Sequence, residues 1–203
     1  MKQSLPRLLG TAVLAVAALS GCATGYLLDN SVQSFSSLPA LPATATYRFD
    51  RLLSQQAPQQ AQLETFADPA LFRAGLRRDD AAPRYAVQLT ARVQRVLSPW
   101  ADPWDSGWGP WGGGGFSGVG LGFGFGGPFP RMDQPWFHRE VGVVMRELPT
   151  NRVVYETHAT NDGPWGDNAS VLPAMFDAAL QGFPNPPPGV RRVDIQVGGK
   201  QKP

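Results

Sequence analysis

Between Trp136 and Thr160 the chain alternates apolar with polar residues in two runs separated by Pro149-Thr150-Asn151. A period of two is the signature of a half-buried strand, and Pro and Asn form turns, so the two runs pair as an antiparallel hairpin. One face of that hairpin must be covered, which commits the chain to a sheet with a layer packed on it. A third run extends the pattern, with Tyr85, Val87, Leu89, Ala91 and Val93 on one side and Arg84, Gln88, Thr90, Arg92 and Gln94 on the other. Shorter alternations at Ala45–Asp50 and Val190–Val197 add two more strands. In the hairpin the same parity assigns Val141, Val143, Met145, Val153 and Tyr155 to the buried face.

Two segments carry helical spacing instead. From Gln59 to Leu76 the apolar positions Leu63, Phe66, Ala67, Ala70 and Leu71 share a face, with a break expected at Asp68-Pro69 and a stop at Gly75. Leu172, Met175, Phe176, Ala179 and Phe183 mark a second helix, capped at Asn168 or Ser170 and ended by Gly182 and the prolines from Pro184 to Pro188. The expected fold is α+β: a mainly antiparallel sheet of about four to five strands with two helices packed on one face.

The amino terminus reads as a processing signal. Lys2 and Arg7 precede an apolar run, Leu8 to Leu19, that is short of the roughly 20 residues a membrane-spanning helix needs. Leu19-Ser20-Gly21-Cys22 follows, containing the only cysteine of the chain, and resembles the lipobox of bacterial lipoproteins. In those proteins residues up to the cysteine are removed and its sulfur takes a diacylglyceryl group, with a further palmitate-type chain on the freed amine. Two or three acyl chains anchor firmly where one does not. Residues 1–21 are thus expected to be a signal peptide and residues 22–43, rich in Ser, Thr, Ala and Pro, a lipid-anchored tether, with an early strand as the alternative where Val32-Gln33-Ser34-Phe35 hints at alternation. Ala23 behind the cysteine, where Asp would retain an enterobacterial lipoprotein, resembles the signal for transport to the outer membrane. Without residues 1–21 the chain has 16 basic and 16 acidic residues, so no acidic partner is implied.

A single domain is expected over 44–198, interrupted at 99–130 by a segment holding 12 of the 23 glycines. Glycine maximises the entropy cost of ordering, so this insertion is expected to be disordered. It also carries Trp100, Trp104, Trp108, Trp111, Phe116, Phe123 and Phe125, rings suited to a wet–dry boundary and hence to ligand or membrane contact. No basic residue lies between Trp100 and Pro130, which argues against nucleic acid.

The lipobox, Tyr47-Arg48-Phe49-Asp50, Ala74-Gly75-Leu76 before the strand at Tyr85 to Val93, Val153-Val154-Tyr155-Glu156 and a late helix running into Phe183-Pro184 together resemble one known group. They are similar to the bacterial lipoproteins of domain-of-unknown-function family 4136, over roughly residues 40 to 198. That family usually carries Trp where Tyr155 stands and a much shorter link in place of the Gly/Trp segment. The resemblance implies an envelope location and an α+β domain, and brings no activity or catalytic residue.

The residues themselves point to no reaction. His138 and His158 fall on neighbouring strands, with His158 expected opposite Gly142 and the two rings about 13 Å apart, too far to share a metal. Asp79-Asp80 reads as a solvated turn, and Asp102, Asp105 and Asp133 match no calcium-loop spacing. No nucleophile elbow, phosphate loop or cofactor motif occurs. The expectation is a lipid-anchored lipoprotein at the periplasmic face of the outer membrane, a non-catalytic binding or structural module. Its partners are the bilayer, through Cys22, and an envelope protein. The alternatives are a periplasmic lipid- or glycan-binding domain that uses the Trp-rich segment, and an envelope hydrolase.

Overall fold

The computed structural model describes residues 25–100 and 135–198. Its strands are β1 (Tyr26–Ser36), β2 (Thr46–Phe49), β3 (Arg77–Arg78), β4 (Tyr85–Val96), β5 (Trp136–Glu147), β6 (Arg152–Gly163) and β7 (Val190–Val197). The helices are α1 (Pro58–Arg73) and α2 (Asn168–Leu180). All seven strands form one sheet in the order β3-β2-β4-β5-β6-β1-β7. β2 runs parallel to β3 and β4, and the other neighbours are antiparallel. The sheet is therefore mixed and has more than the four to five strands expected.

One addition corrects the tether reading over half of residues 22–43, because Tyr26–Ser36 is inserted between β6 and β7. Its buried side chains are Leu28, Asn30, Val32 and Ser34. Half of them are polar, which leaves only a hint of alternation in the sequence. They are tolerated inside because Asn30 Nδ2 donates to the carbonyls of Leu28 and Val193 at 3.1 Å, and Ser34 Oγ meets Thr157 Oγ1 at 2.7 Å. The other addition, β3, is two exposed arginines recognisable only by backbone bonds such as Arg77 N–H to Ala45 O at 2.9 Å.

Helix α1 runs through Pro69 without the expected break. The Asp68 carboxylate accepts from the Tyr47 hydroxyl and does not cap a new helix. The stop at Gly75 is as expected: its φ of +95° suits glycine, and Leu76 N–H reaches back to Leu71 O at 3.0 Å, closing a Schellman turn. Helix α2 is capped by Asp167, one residue before Asn168 and three before Ser170, the positions expected; its carboxylate accepts from Ala169 N–H at 3.0 Å and Ser170 Oγ at 2.5 Å. The Ser170 hydroxyl bond, first among the causes, holds the Asp167 carboxyl below its ordinary value.

Both helices pack against each other and the sheet, over a core that includes Tyr47, Leu71, Val87, Leu89, Met145, Tyr155 and Phe176. In the hairpin a bulge between Met145 and Arg146 corrects the parity expected near its turn. Val154 becomes buried beside Tyr155, and Val153, assigned to the core from sequence, is 37% exposed.

Candidate functional site

The sheet outruns its helices at one end. β4 is buried from Tyr85 to Leu89, apart from a half-buried Gln88, and exposed from Thr90 to Val96. There α1, the start of α2 and β4 enclose a cleft of about 540 Å³, floored by Leu63, Phe66, Ala91, Val93 and Leu172. No charged side chain lines it, and its polar side chains on the helix side are amides. Gln55 and Gln60 close its inner end, both donating to Leu89 O, at 2.7 and 3.4 Å.

Beside this cleft a row of polar residues crosses the helix-facing side of the sheet. Val93 pairs with Arg139, Arg139 with Asn161, and the β1–β6 register continued by one residue brings Asn30 next. Arg139 is fully buried, and no carboxylate among the described residues pairs with it. Its Nε donates to Asn168 Oδ1 at 2.9 Å and its Nη2 to Trp165 O, with the guanidinium 4.8 Å from the centre of the Phe137 ring. Burial pulls its pKa below the ordinary guanidinium value, and nearby Tyr26 acts weakly the other way. Trp165 in turn stacks on Tyr26 at 3.9 Å. Arg139 Nη1, Asn161 Oδ1 and Asn30 Oδ1 are buried without a hydrogen-bond partner among the described residues.

The opposite sheet face carries both histidines. His158 lies opposite Gly142, as the alternation requires. His138 Nδ1 meets Asp162 Oδ1 at 2.8 Å, while His158 Nε2 lies 3.0 Å from Glu156 and its Nδ1 3.7 Å from Glu140. The two rings are 38% and 40% exposed and occupy separate carboxylate pairs, so the fold does not bring them together. Arg192 joins Asp29 at 3.1 Å and Asp194 at 3.0 Å on the same face. Among the described residues no group of three or more His, Cys, Asp or Glu is arranged to hold a metal. Asp79 accepts from the backbone of Ala81 and Ala82 and Asp80 pairs with Arg78, as in an ordinary polar turn.

Trp100 is the one aromatic of the insertion that is described, 86% exposed beside an 88% exposed Leu97. Cys22, Trp104, Trp108, Trp111, Phe116, Phe123, Phe125, Asp102, Asp105 and Asp133 lie outside the described residues, as do the signal peptide and most of the glycine-rich segment. Sequence reasoning passed over Arg139, Asn161 and Gln60. Arg139 did carry a signal: it shares the inward parity of Val141, Val143 and Met145.

These features define a two-layer α+β domain, with helices on one face of a mixed sheet and an amide-lined cleft where the sheet outruns them. A family model described as "Domain of unknown function (DUF4136)" matches residues 31–185, more than half of the chain, and the chain belongs to that family. No curated protein matches it. Among solved structures, the PelC dodecamer from Paraburkholderia phytofirmans is similar at 13% identity and a TM-score of 0.47, over 81% of this chain and 100% of that one. A variant of that dodecamer gives 15% identity and a TM-score of 0.44, over 77% and 95%. A PDZ domain protein from Parabacteroides distasonis gives 12% identity and a TM-score of 0.48, over 92% of this chain and 41% of that chain.

Proposed function

We propose that the chain is a lipid-anchored lipoprotein of the bacterial cell envelope, held at the periplasmic face of the outer membrane, whose domain is a non-catalytic binding or structural module. The observation that carries this reading is the position of Cys22, at the end of a lipobox-like run and four residues before β1 begins at Tyr26. An acylated Cys22 would hold the sheet close to the bilayer, because so short a link spans at most about 14 Å when fully extended. Among the described residues no helix is long and apolar enough to cross a membrane, so attachment in this reading falls to the acyl chains.

The test is intact mass and membrane fractionation of the full chain made in a Gram-negative host, beside Cys22→Ser. A lipid-sized mass increment with outer-membrane recovery, both lost in the variant, is expected. A soluble, unacylated parent would overturn the reading.

A second reading, a lipid- or glycan-binding domain using the Trp-rich segment, is favoured by one observation: Leu97 and Trp100 stand almost fully exposed where that segment begins. A shift of tryptophan fluorescence with lipid vesicles or a soluble glycan would support it.

A further inference from the structure

Residues of a strand direct their backbone N–H and C=O groups alternately to its two sides. On β4, Val87 O accepts from Asp50 N–H at 2.9 Å and Leu89 O accepts from the Gln55 and Gln60 amides, so the odd-numbered residues point away from β5. β2 covers that side only as far as Val87. Beyond Leu89, among the described residues, no strand stands beside the N–H and C=O groups of Ala91, Val93 and Arg95. The edge is straight: the pairing of β4 with β5 runs unbroken from Tyr85 to Val96, and neither proline nor bulge blunts it. Ala91 and Val93 turn their side chains into the cleft beside it.

We propose that this edge receives an extended, uncharged segment of a partner polypeptide as an added strand, its alternate side chains entering the cleft. The occupant's chemistry follows from the lining. Donors and acceptors spaced every second residue along an edge are matched by another extended backbone. The lining offers no charge, so side chains that enter must be neutral, and the Gln59 and Gln62 amides suit a peptide bond or a hydroxyl. A glycan would want broad aromatic platforms, and the lining has only the Phe66 ring; a lipid tail would want a continuous apolar wall, which the amides interrupt. This inference rests on the reading of the domain as a binding module and gives the class of its partner.

The experiment uses the full chain in detergent micelles and a capped octapeptide alternating Thr and Val. The readouts are binding by calorimetry and residue-resolved amide exchange by NMR. Expected are saturable binding and at least tenfold slower exchange at Ala91, Val93 and Arg95 with peptide. The same peptide N-methylated at alternate residues should bind at least tenfold more weakly. Val93→Pro should do likewise while keeping the parent's circular dichroism, since it removes a donor that points away from β5 and costs no ladder bond. If Val93→Pro fails to fold, the N-methylated peptide still decides.

Equal binding of both peptides would overturn the proposal, and so would no binding. Amides already protected without peptide would show the edge covered within the chain, and protection that grows with protein concentration would assign it to a second copy; either result overturns the partner strand. Because anchoring is read separately from the Cys22→Ser mass and fractionation, an anchored chain that binds no peptide loses only this inference.

Discussion

Arg139 lies directly opposite Asn161 on the buried side of the β5–β6 ladder, and each carries a buried polar atom without a partner among the described residues, Nη1 on one and Oδ1 on the other. A guanidinium with no carboxylate beside it is costly to bury, so its long stem and its two bonds to Trp165 and Asn168 must offset the desolvation. Arg139→Ala removes both contributions and is expected to cost about 3 kcal/mol in urea unfolding. Arg139→Met keeps the packing and drops the charge, and should recover most of that loss. A Met variant as unstable as the Ala variant would show that the two hydrogen bonds carry the site.

The bulge in β6 makes sequence neighbours behave differently. Val154 is 3% exposed and Val153 is 37% exposed. Val154→Ala should therefore cost about 2 kcal/mol and Val153→Ala about 0.5 kcal/mol or less, measured by urea denaturation at constant m-value. Equal costs would mean that the hairpin keeps one parity to its turn.

Tyr47 is buried, and its hydroxyl donates to the Asp68 carboxylate. Burial first, and then that hydrogen bond and charge, push its pKa far above the ordinary 10.0. Tyr155 is raised as well, mainly by burial. A group whose folded-state pKa is raised binds its proton more tightly in the native state. Its contribution to stability is whole below about pH 10 and is lost as pH rises above it. Stability should decline in alkali from about pH 10, and Tyr47→Phe should flatten that decline while costing about 1 kcal/mol at neutral pH through the lost hydrogen bond. Thermal unfolding at pH 7 to 11 measures both; an unchanged alkaline slope in the variant would count against Tyr47 as the titrating group.

How much of this was legible depended on whether buried positions were apolar. β4 and β5 could be read because Tyr85, Val87, Leu89, Val141, Val143 and Met145 repeat at a period of two. β6 could be read only up to its bulge, since an extra residue in one strand leaves no mark in the alternation. The cleft was not legible at all. It is assembled from Gln55, Gln59, Gln60 and Asn168, common surface residues that become a site only when α1 and α2 are laid across β4. Gln60 is buried for a reason no local pattern shows: it donates to the carbonyl where β4 loses its neighbour.

β1 is the sharpest test of that limit, because the same residues read as a tether by composition and as an inner strand by structure. Val32 is fully buried and pairs with Ala159 and with Arg191, whereas Gln33 beside it is exposed on the other face. Val32→Asp would bury a carboxylate in the core across from Arg191, whose guanidinium is already bonded to Ser34 Oγ and Gln181 O, at a cost of several kcal/mol, and is expected to abolish the cooperative transition. Gln33→Asp should stay within about 0.5 kcal/mol of the parent. A tether would tolerate both substitutions alike. Thermal unfolding of the pair followed by circular dichroism separates the two cases, and two unchanged melting curves would remove β1 from the folded domain and leave β6 and β7 without a strand between them.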